Sequence, residues 1–183
     1  MDTDTHVTYH RPLSSVDKHI AVFYIHGGGL LYGERNDLPT PYIRMFTDAG
    51  YTLICADYPL APETPYAGIV TSLQETLAAT AISGIEDGNY DGYILFGRSA
   101  GANLALVLAR EIAINPSCPQ PLGIIDFYGY YDLCDETFEA PAKAYAKLPT
   151  IEMETVKRIT SNGGIPFSGP KALRYALYVY ARQ

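Results

Sequence analysis

Tryptophan is absent from this chain of 183 residues, and cysteine occurs only three times, at Cys55, Cys118 and Cys134. An odd number of cysteines without metal-ligand spacing predicts neither a disulfide framework nor a zinc site, so we expect free thiols and a reducing, cytoplasmic compartment. No apolar run reaches the roughly 18 residues that a membrane span needs, and the polar N-terminus lacks a hydrophobic signal region. The sequence therefore favours a soluble protein without a membrane partner.

Basic residues are also few. The chain has 13 Lys and Arg against 20 Asp and Glu, a net charge of −7, and no run of Lys or Arg is longer than two residues. Such a surface repels phosphate backbones, which excludes nucleic acid as an expected partner. Apolar residues make up 48% of the chain, enough to bury one core, and we expect residues 1–183 to form a single domain.

Short apolar, β-branched runs predict buried strands. Four such runs lie at 20–25, 51–56, 93–97 and 122–128. Segments with helical spacing of apolar residues lie at 41–49, 66–83 and 100–114. This alternation predicts an α/β fold, a three-layer sandwich whose mostly parallel sheet carries helices on both faces.

The last third of the sequence predicts helices instead of further strands. Thr150 is placed to cap a helix that continues to about Ile159, and the Gly163-Gly164 pair breaks the pattern. A second helix is expected from about Pro170 to Ala181. The 16 tyrosines are scattered along the chain, and their distribution predicts no shared function.

The segment Gly97-Arg98-Ser99-Ala100-Gly101 follows one predicted strand directly and begins a predicted helix. A serine on such a tight turn is presented at the edge of the sheet, and Gly97 and Gly101 support the turn because a side chain there would collide with it. The start of the helix also directs free N–H groups and a positive dipole end towards the serine. Ser99 is therefore the candidate catalytic nucleophile.

The segment His26-Gly27-Gly28-Gly29 follows the first predicted strand. An isolated run of glycines is more often a flexible loop. Here the glycines can turn their N–H groups into a cavity, and the Ala100 N–H can supply the second half of an oxyanion hole. Gly27, Gly28, Gly29 and Ala100 are therefore the candidate oxyanion-hole residues.

A proline-rich turn with the sequence DYPLAPETPY runs from Asp57 to Tyr66. Its two acids, Asp57 and Glu63, can accept hydrogen bonds from backbone or arginine groups of a rigid loop. We expect both to be structural, because a nucleophile needs a histidine base before it needs an acid.

The motifs HGGG, DYPLAPETPY and GRSAGANLAL, in this order between about Ile20 and Leu133, resemble the HGGG-type esterases of the α/β-hydrolase superfamily, the group similar to hormone-sensitive lipase. The resemblance implies hydrolysis of small carboxylic esters, usually short-chain ones, through an acyl-serine, with no metal or cofactor. It also implies that Ser99 is the nucleophile and that the oxyanion hole is made by the N–H groups of Gly28, Gly29 and Ala100, beside Gly27.

Two positions depart from this group of esterases. Arg98 stands where the group usually has Asp, and Ala102 stands where it usually has a second glycine. Neither change removes a catalytic atom. An arginine beside the nucleophile alters the local charge and could favour an acidic acyl or leaving group, but we expect it to form a surface salt bridge.

No histidine follows Ser99, although an acyl-serine route needs a histidine base, and in this fold the triad order is Ser, acid, His. The four histidines are His6, His10, His19 and His26. The resemblance gives His26 a structural role. Asp126 lies inside the fourth predicted strand, and Asp132 and Asp135 follow it, whereas the family's acid follows a later strand.

We therefore expect residues 134–183 to form a lid-like helical segment over the acyl pocket. We also expect the 183 residues to be the N-terminal part of a longer hydrolase without its last strands, and thus nearly inert alone. The fourth strand would then be a bare apolar edge that favours pairing with a second copy. A non-catalytic module that binds an acyl ligand or a protein, and a peptidase on the same fold, are the alternatives.

Overall fold

A computed structural model describes residues 6–161 and 164–183, and within them five strands form one sheet in the order β1-β3-β2-β4-β5. The strands are β1 (Val7–His10), β2 (Ile20–Ile25), β3 (Tyr51–Ala56), β4 (Gly92–Arg98) and β5 (Gly123–Phe127). The helices are α1 (Thr40–Asp48), α2 (Tyr66–Leu77), α3 (Ser83–Glu86), α4 (Ala100–Ala113), α5 (Glu136–Glu139), α6 (Met153–Thr160) and α7 (Lys171–Arg182), with a π-helical turn at Ala78–Ile82 between α2 and α3.

The four predicted strands are confirmed as the parallel part of the sheet. β2 lies at its centre between β3 and β4, with Ile25 opposite both Ala56 and Gly97. The sequence did not predict β1, which pairs antiparallel with β3 along the opposite edge from β5. A run of only four residues, VTYH, with polar side chains between the apolar ones is too short to give a clear periodic signal.

Apolar side chains cover both faces of the sheet. On one face, Phe23 and Leu95 pack with α2 and α4 through residues such as Leu73 and Leu104. On the other, Tyr24 and Phe96 pack with Phe46 of α1 and others. This is the predicted three-layer α/β sandwich, and it explains why the central strands read as continuous apolar runs.

Two helix predictions differ from the structure. The helix expected over 66–83 continues to Glu86, through the π-helical turn. The prediction that Thr150 caps α6 is wrong, because α6 begins at Met153 with Glu152 in the capping position. The backbone N–H of Ile151 donates to the Gln183 side chain over 3.0 Å, and this contact holds the chain extended past Thr150. The predicted glycine break lies partly outside the described residues, since Gly163 is not among them.

Strand β5 is the other edge of the described sheet, as expected. Its flanking Leu122 and its own Ile124 are 62% and 40% exposed. No helix in the described ranges is long and apolar enough to cross a bilayer. The cytoplasmic location stays a prediction.

Candidate active site

Ser99 lies in the tight turn between β4 and α4, with φ 53° and ψ −119°. A positive φ is unfavourable for a residue with a Cβ, so the surrounding contacts must hold this conformation. Ser99 N–H donates to the Phe127 carbonyl at the end of β5 over 2.8 Å, and the Ser99 carbonyl accepts from Ala102 N–H over 3.0 Å. The turn is thus fixed on both sides, and it presents the half-buried serine at the carboxyl end of the sheet.

The glycines of the turn are required by space. A Cβ on Gly97 would overlap the Gly101 carbonyl, and one on Gly101 would overlap the backbone carbonyls of Ile25 and His26. These contacts are with backbone, which cannot move aside as a side chain can. Both glycines therefore let the start of α4 approach β2 and β4 closely, as the sequence predicted for Gly97 and Gly101.

The glycine loop passes directly beside this turn. A Cβ on Gly27 would lie 3.3 Å from the Ser99 Cβ and 3.0 Å from the Arg98 carbonyl oxygen. Gly28 and Gly29 have φ values of 107° and 61°, which turn the chain away from β2. Among the described residues, the backbone N–H groups of Gly28, Gly29 and Ala100 donate no hydrogen bond. The structure brings the candidate oxyanion-hole segments together; their role stays a prediction.

The C-terminal helix holds the glycine loop in place, which the sequence did not predict. Gly33 and Gly169 exchange two backbone hydrogen bonds of 2.9 and 3.0 Å. Arg174 of α7 is only 6% exposed and donates to the Leu31 carbonyl over 2.5 Å and to the Ala61 carbonyl over 2.7 Å. These bonds join the loop after Gly29 and the proline-rich turn to α7.

Glu63 completes this contact by accepting two hydrogen bonds from Arg174, of 2.9 and 2.7 Å. Burial alone would raise the pKa of Glu63, but the hydrogen bonds and charge of Arg174 lower it below its ordinary value. The expectation that Glu63 pairs with an arginine in a structural role agrees with this geometry. Asp57 does the same with Arg35, whose backbone N–H and guanidinium each donate to it over 2.6 Å.

A mostly apolar cavity of about 210 Å³ opens beside the loop and the turn, bounded at one end by Gly29 and Ala100. Its other walls are Tyr130, Leu133, Phe138 and Tyr178 with their neighbours Leu30, Leu31, Ala181 and Arg182. Residues of both candidate oxyanion-hole segments, Gly29 and Ala100, therefore line one small pocket.

Tyrosines make up much of this site, although their scatter in the sequence predicted no function. The Tyr178 ring lies so close to Gly29 that a Cβ there would overlap it. Tyr32, Tyr145 and Tyr175 surround Tyr178, with ring centroids 6.4, 5.6 and 6.2 Å from its own. The three-residue spacing of Tyr175 and Tyr178 on α7 is the one signal in the sequence that places them on the same side of the helix.

Tyr130 is held in place by a separate contact with helix α4. Asn103 of α4 is 4% exposed, and its Nδ2 donates to the Tyr130 carbonyl over 2.7 Å while its Oδ1 accepts from the Tyr66 hydroxyl over 2.7 Å. The Tyr130 and Tyr178 hydroxyl oxygens lie 3.5 Å apart. Asn103 follows the nucleophile turn by one helical turn, so the same helix positions the pocket wall.

His26 is fully buried, and its ring stacks on Tyr58 with centroids 4.2 Å apart. Its Nδ1–H donates to the Gly27 carbonyl over 2.8 Å, and its Nε2 lies 3.9 Å from the Asp57 carboxylate. Burial lowers the pKa of His26, which keeps the imidazole neutral at pH 7. These contacts support the glycine loop, in agreement with the structural role that the resemblance implied.

Arg98 pairs with Asp37, with 2.7 Å between the guanidinium nitrogen and the carboxylate oxygen. Asp37 also accepts from the Tyr24 hydroxyl over 2.6 Å. The expected salt bridge is confirmed, but its arginine is only 18% exposed, so the pair lies partly inside the protein.

The described residues do not assemble a triad acid. Asp126 accepts from Gly129 N–H, Asp132 from Cys134 N–H and Asp135 from Thr137, each within its own turn. The three cysteines are free, and burial raises the pKa of Cys55 to about 12. Within the described ranges no three His, Cys, Asp or Glu side chains gather as metal ligands.

Comparison with known proteins agrees with this geometry. An esterase of Acinetobacter venetianus is 33% identical over 112 residues, which are 61% of this chain and 36% of that protein. A protein of unknown function from Staphylococcus aureus superposes with a TM-score of 0.81 at 32% identity, over 96% of this chain and 60% of its own. An α/β-hydrolase superfamily protein of Enterococcus faecalis gives 0.76 at 32% identity, over 97% and 61%.

The chain thus spans about a third of this curated relative and about 60% of the two solved structures. The sequence profile of the α/β-hydrolase fold matches residues 22–165, which contain the glycine loop, the proline-rich turn and the nucleophile turn. This match covers most of the chain. The protein belongs to the α/β-hydrolase fold family.

Proposed function

We propose that this site hydrolyses small carboxylic esters through an acyl-serine formed on Ser99. The observation that carries the proposal is the strained serine, with φ 53°. It lies against the glycine loop and the first residue of α4, and the N–H groups of Gly28, Gly29 and Ala100 donate no hydrogen bond in the described chain. A strained conformation kept at such a turn is typical of a residue that must present its side chain to a ligand.

In the proposed reaction the Ser99 Oγ attacks the ester carbonyl carbon as a base accepts the hydroxyl proton. The carbonyl oxygen becomes an oxyanion, which the N–H groups of Gly28, Gly29 and Ala100 stabilise. The C–O bond to the alcohol then breaks, and the alcohol leaves with a proton. Attack by water on the acyl-serine releases the carboxylic acid and restores Ser99.

None of the described side chains around Ser99 is placed to act as the base that accepts its proton. His26 is buried against Tyr58 and Asp57, and no histidine follows Ser99 in the sequence. We therefore propose that the chain alone is a very weak esterase, with only the rate enhancement of roughly 10³–10⁴ that an oxyanion hole and binding provide without a base. A soluble imidazole can enter beside the half-buried serine and accept its proton.

The test is chemical rescue. Hydrolysis of p-nitrophenyl butyrate is measured with 0 to about 100 mM imidazole, a range chosen to span weak binding of a small base, using the natural chain, Ser99→Ala and the exposed-serine control Ser117→Ala. We expect imidazole to raise the rate of the natural chain and of Ser117→Ala above the background that Ser99→Ala gives. Equal rates for all three would refute the proposal and favour a non-catalytic module that binds an acyl ligand.

A further inference from the structure

The cavity beside Gly29 and Ala100 is small. Its volume of about 210 Å³ lies below the ~300–1,000 Å³ of pockets that hold drug-sized ligands. The ring of Tyr178 is held by three neighbouring rings, since Tyr175 lies parallel to it and Tyr145 and Tyr32 meet it edge-on. The space between these walls therefore suits a small acyl group.

The walls are aromatic on two sides. Tyr130 meets Phe138 edge-on with centroids 5.0 Å apart, and the Arg182 guanidinium lies 5.3 Å from the centre of the Phe138 ring. Tyr178 forms the wall nearest the glycine loop. Flat rings held in fixed positions favour another flat ring, because edge-to-face and offset contacts add to the burial of apolar area.

The same walls carry polar groups. The Tyr130 and Tyr178 hydroxyls are 3.5 Å apart, the outer limit of a hydrogen bond, and the Tyr178 hydroxyl also interacts with that of Tyr145. Burial, followed by the hydrogen bond with Tyr130, raises the pKa of Tyr178, so this hydroxyl keeps its proton at neutral pH. A pair of phenol hydroxyls in an apolar pocket stabilises a ligand that brings its own hydrogen-bonding group.

We infer that the acyl group of the substrate is a single aromatic ring with a polar substituent, as in hydroxybenzoyl esters, and not an aliphatic chain. This inference rests on the proposed ester hydrolysis, which sets the carbonyl end of the ligand at Gly29 and Ala100. Tyr178 and Tyr130 are then the residues that determine specificity.

The experiment measures binding of product acids, so that it does not depend on turnover. Benzoate, 4-hydroxybenzoate, cyclohexanecarboxylate and octanoate are titrated by ligand-observed NMR into the full chain and into Ser99→Ala. We expect benzoate to bind about 2- to 12-fold more tightly than cyclohexanecarboxylate, the ratio that one aromatic pair provides. A hydrogen bond to the 4-hydroxyl should add a further factor of about 2 to 12.

Two variants separate the contributions. Tyr178→Leu should abolish the preference for the aromatic ring, and Tyr130→Phe/Tyr178→Phe should keep that preference but lose the gain from the 4-hydroxyl. Tyr180→Leu, on the exposed side of the same helix, is the matched control and should change neither ratio. Should Tyr178→Leu not fold, the double phenylalanine variant and the natural chain still decide the question.

Equal affinity for the two ring acids, tighter binding of octanoate, or no binding of any acid would overturn the inference. Preferences that persist in Tyr178→Leu would overturn it as well. The result is independent of chemical rescue. A chain that imidazole does not activate but that prefers 4-hydroxybenzoate keeps its aromatic pocket, and an activated chain without the preference loses only this inference.

Discussion

Replacing Arg174 by leucine removes the group that joins α7 to the glycine loop and to the proline-rich turn. The side chains of the Arg174–Glu63 pair are 7% and 13% exposed, so the change leaves a nearly buried carboxylate and two carbonyl oxygens, of Leu31 and Ala61, without their donor. Breaking such a pair costs about 3–5 kcal/mol. That loss is a large share of the ~5–15 kcal/mol that stabilise a typical domain.

Urea unfolding followed by far-UV circular dichroism measures this cost. Arg110→Leu is the control, since Arg110 pairs with Glu111 at 3.1 Å but its side chain is 78% exposed, and an exposed pair contributes under about 1 kcal/mol. Free energies of unfolding for the two variants that agree within about 1 kcal/mol would refute the claim that α7 holds the loop through Arg174.

The pH dependence gives a second readout of the same pair. The pKa of Glu63 is lowered in the folded chain from its ordinary 4.5, so its contribution to stability is present above pH 4.5 and is lost as the pH falls towards the folded pKa. Arg174→Leu should weaken this loss of stability below pH 4.5. If the free energy of unfolding of Arg174→Leu falls below pH 4.5 as steeply as that of the natural chain, the pH dependence does not come from the Arg174–Glu63 pair.

Three further predictions concern the site and the sheet edge. Gly101→Ala should lower the free energy of unfolding by about 1–3 kcal/mol or more, because the added Cβ overlaps backbone atoms. The control Gly123→Ala, with no atom within 4 Å of its Cβ, should change it by less than about 0.5 kcal/mol. Equal effects would contradict the close approach of α4 to β2. Burial lowers the pKa of His26 below its ordinary 6.5, so the unfolded chain binds the extra proton and stability should fall as the pH drops below 6.5. This fall should be smaller in His26→Phe. An identical dependence of the free energy of urea unfolding on pH in the two chains would contradict this prediction. We propose that the β5 edge pairs with a second copy, so Ile124→Lys should reduce self-association in sedimentation velocity while the exposed control Leu13→Lys should not; a natural chain that is monomeric at all concentrations would refute it.

Local sequence determined what could be predicted. The strand at Ile20–Ile25, the glycine loop and the turn at Ser99 follow one another in short segments, and each is recognisable from steric rules that act within about ten residues. The alternation of strands and helices predicts a parallel, doubly covered sheet, but it does not determine the order of the strands, which only the structure gives. The four parallel strands and the turn at Ser99 are accordingly predictable from the sequence.

The walls of the pocket depend on contacts that no local pattern contains. Tyr130 and Tyr178 meet across 48 residues of sequence, and Arg174 reaches Leu31 across 143. A tyrosine or arginine on a helix has the same local signature whether it faces water or a distant loop. The prediction that Thr150 caps α6 was wrong for the same reason. The side chain of Gln183, at the far end of the next helix, accepts a hydrogen bond from the Ile151 N–H.

The bond between Arg174 and Leu31 also determines when the site is completed during synthesis. A ribosome adds about 5–20 residues per second, so the 143 residues between these partners correspond to roughly 7 to 29 seconds of translation. The central strands can pair in that time, but the glycine loop obtains its last support only when α7 emerges. The pocket is therefore completed later than the core of central strands on which it stands.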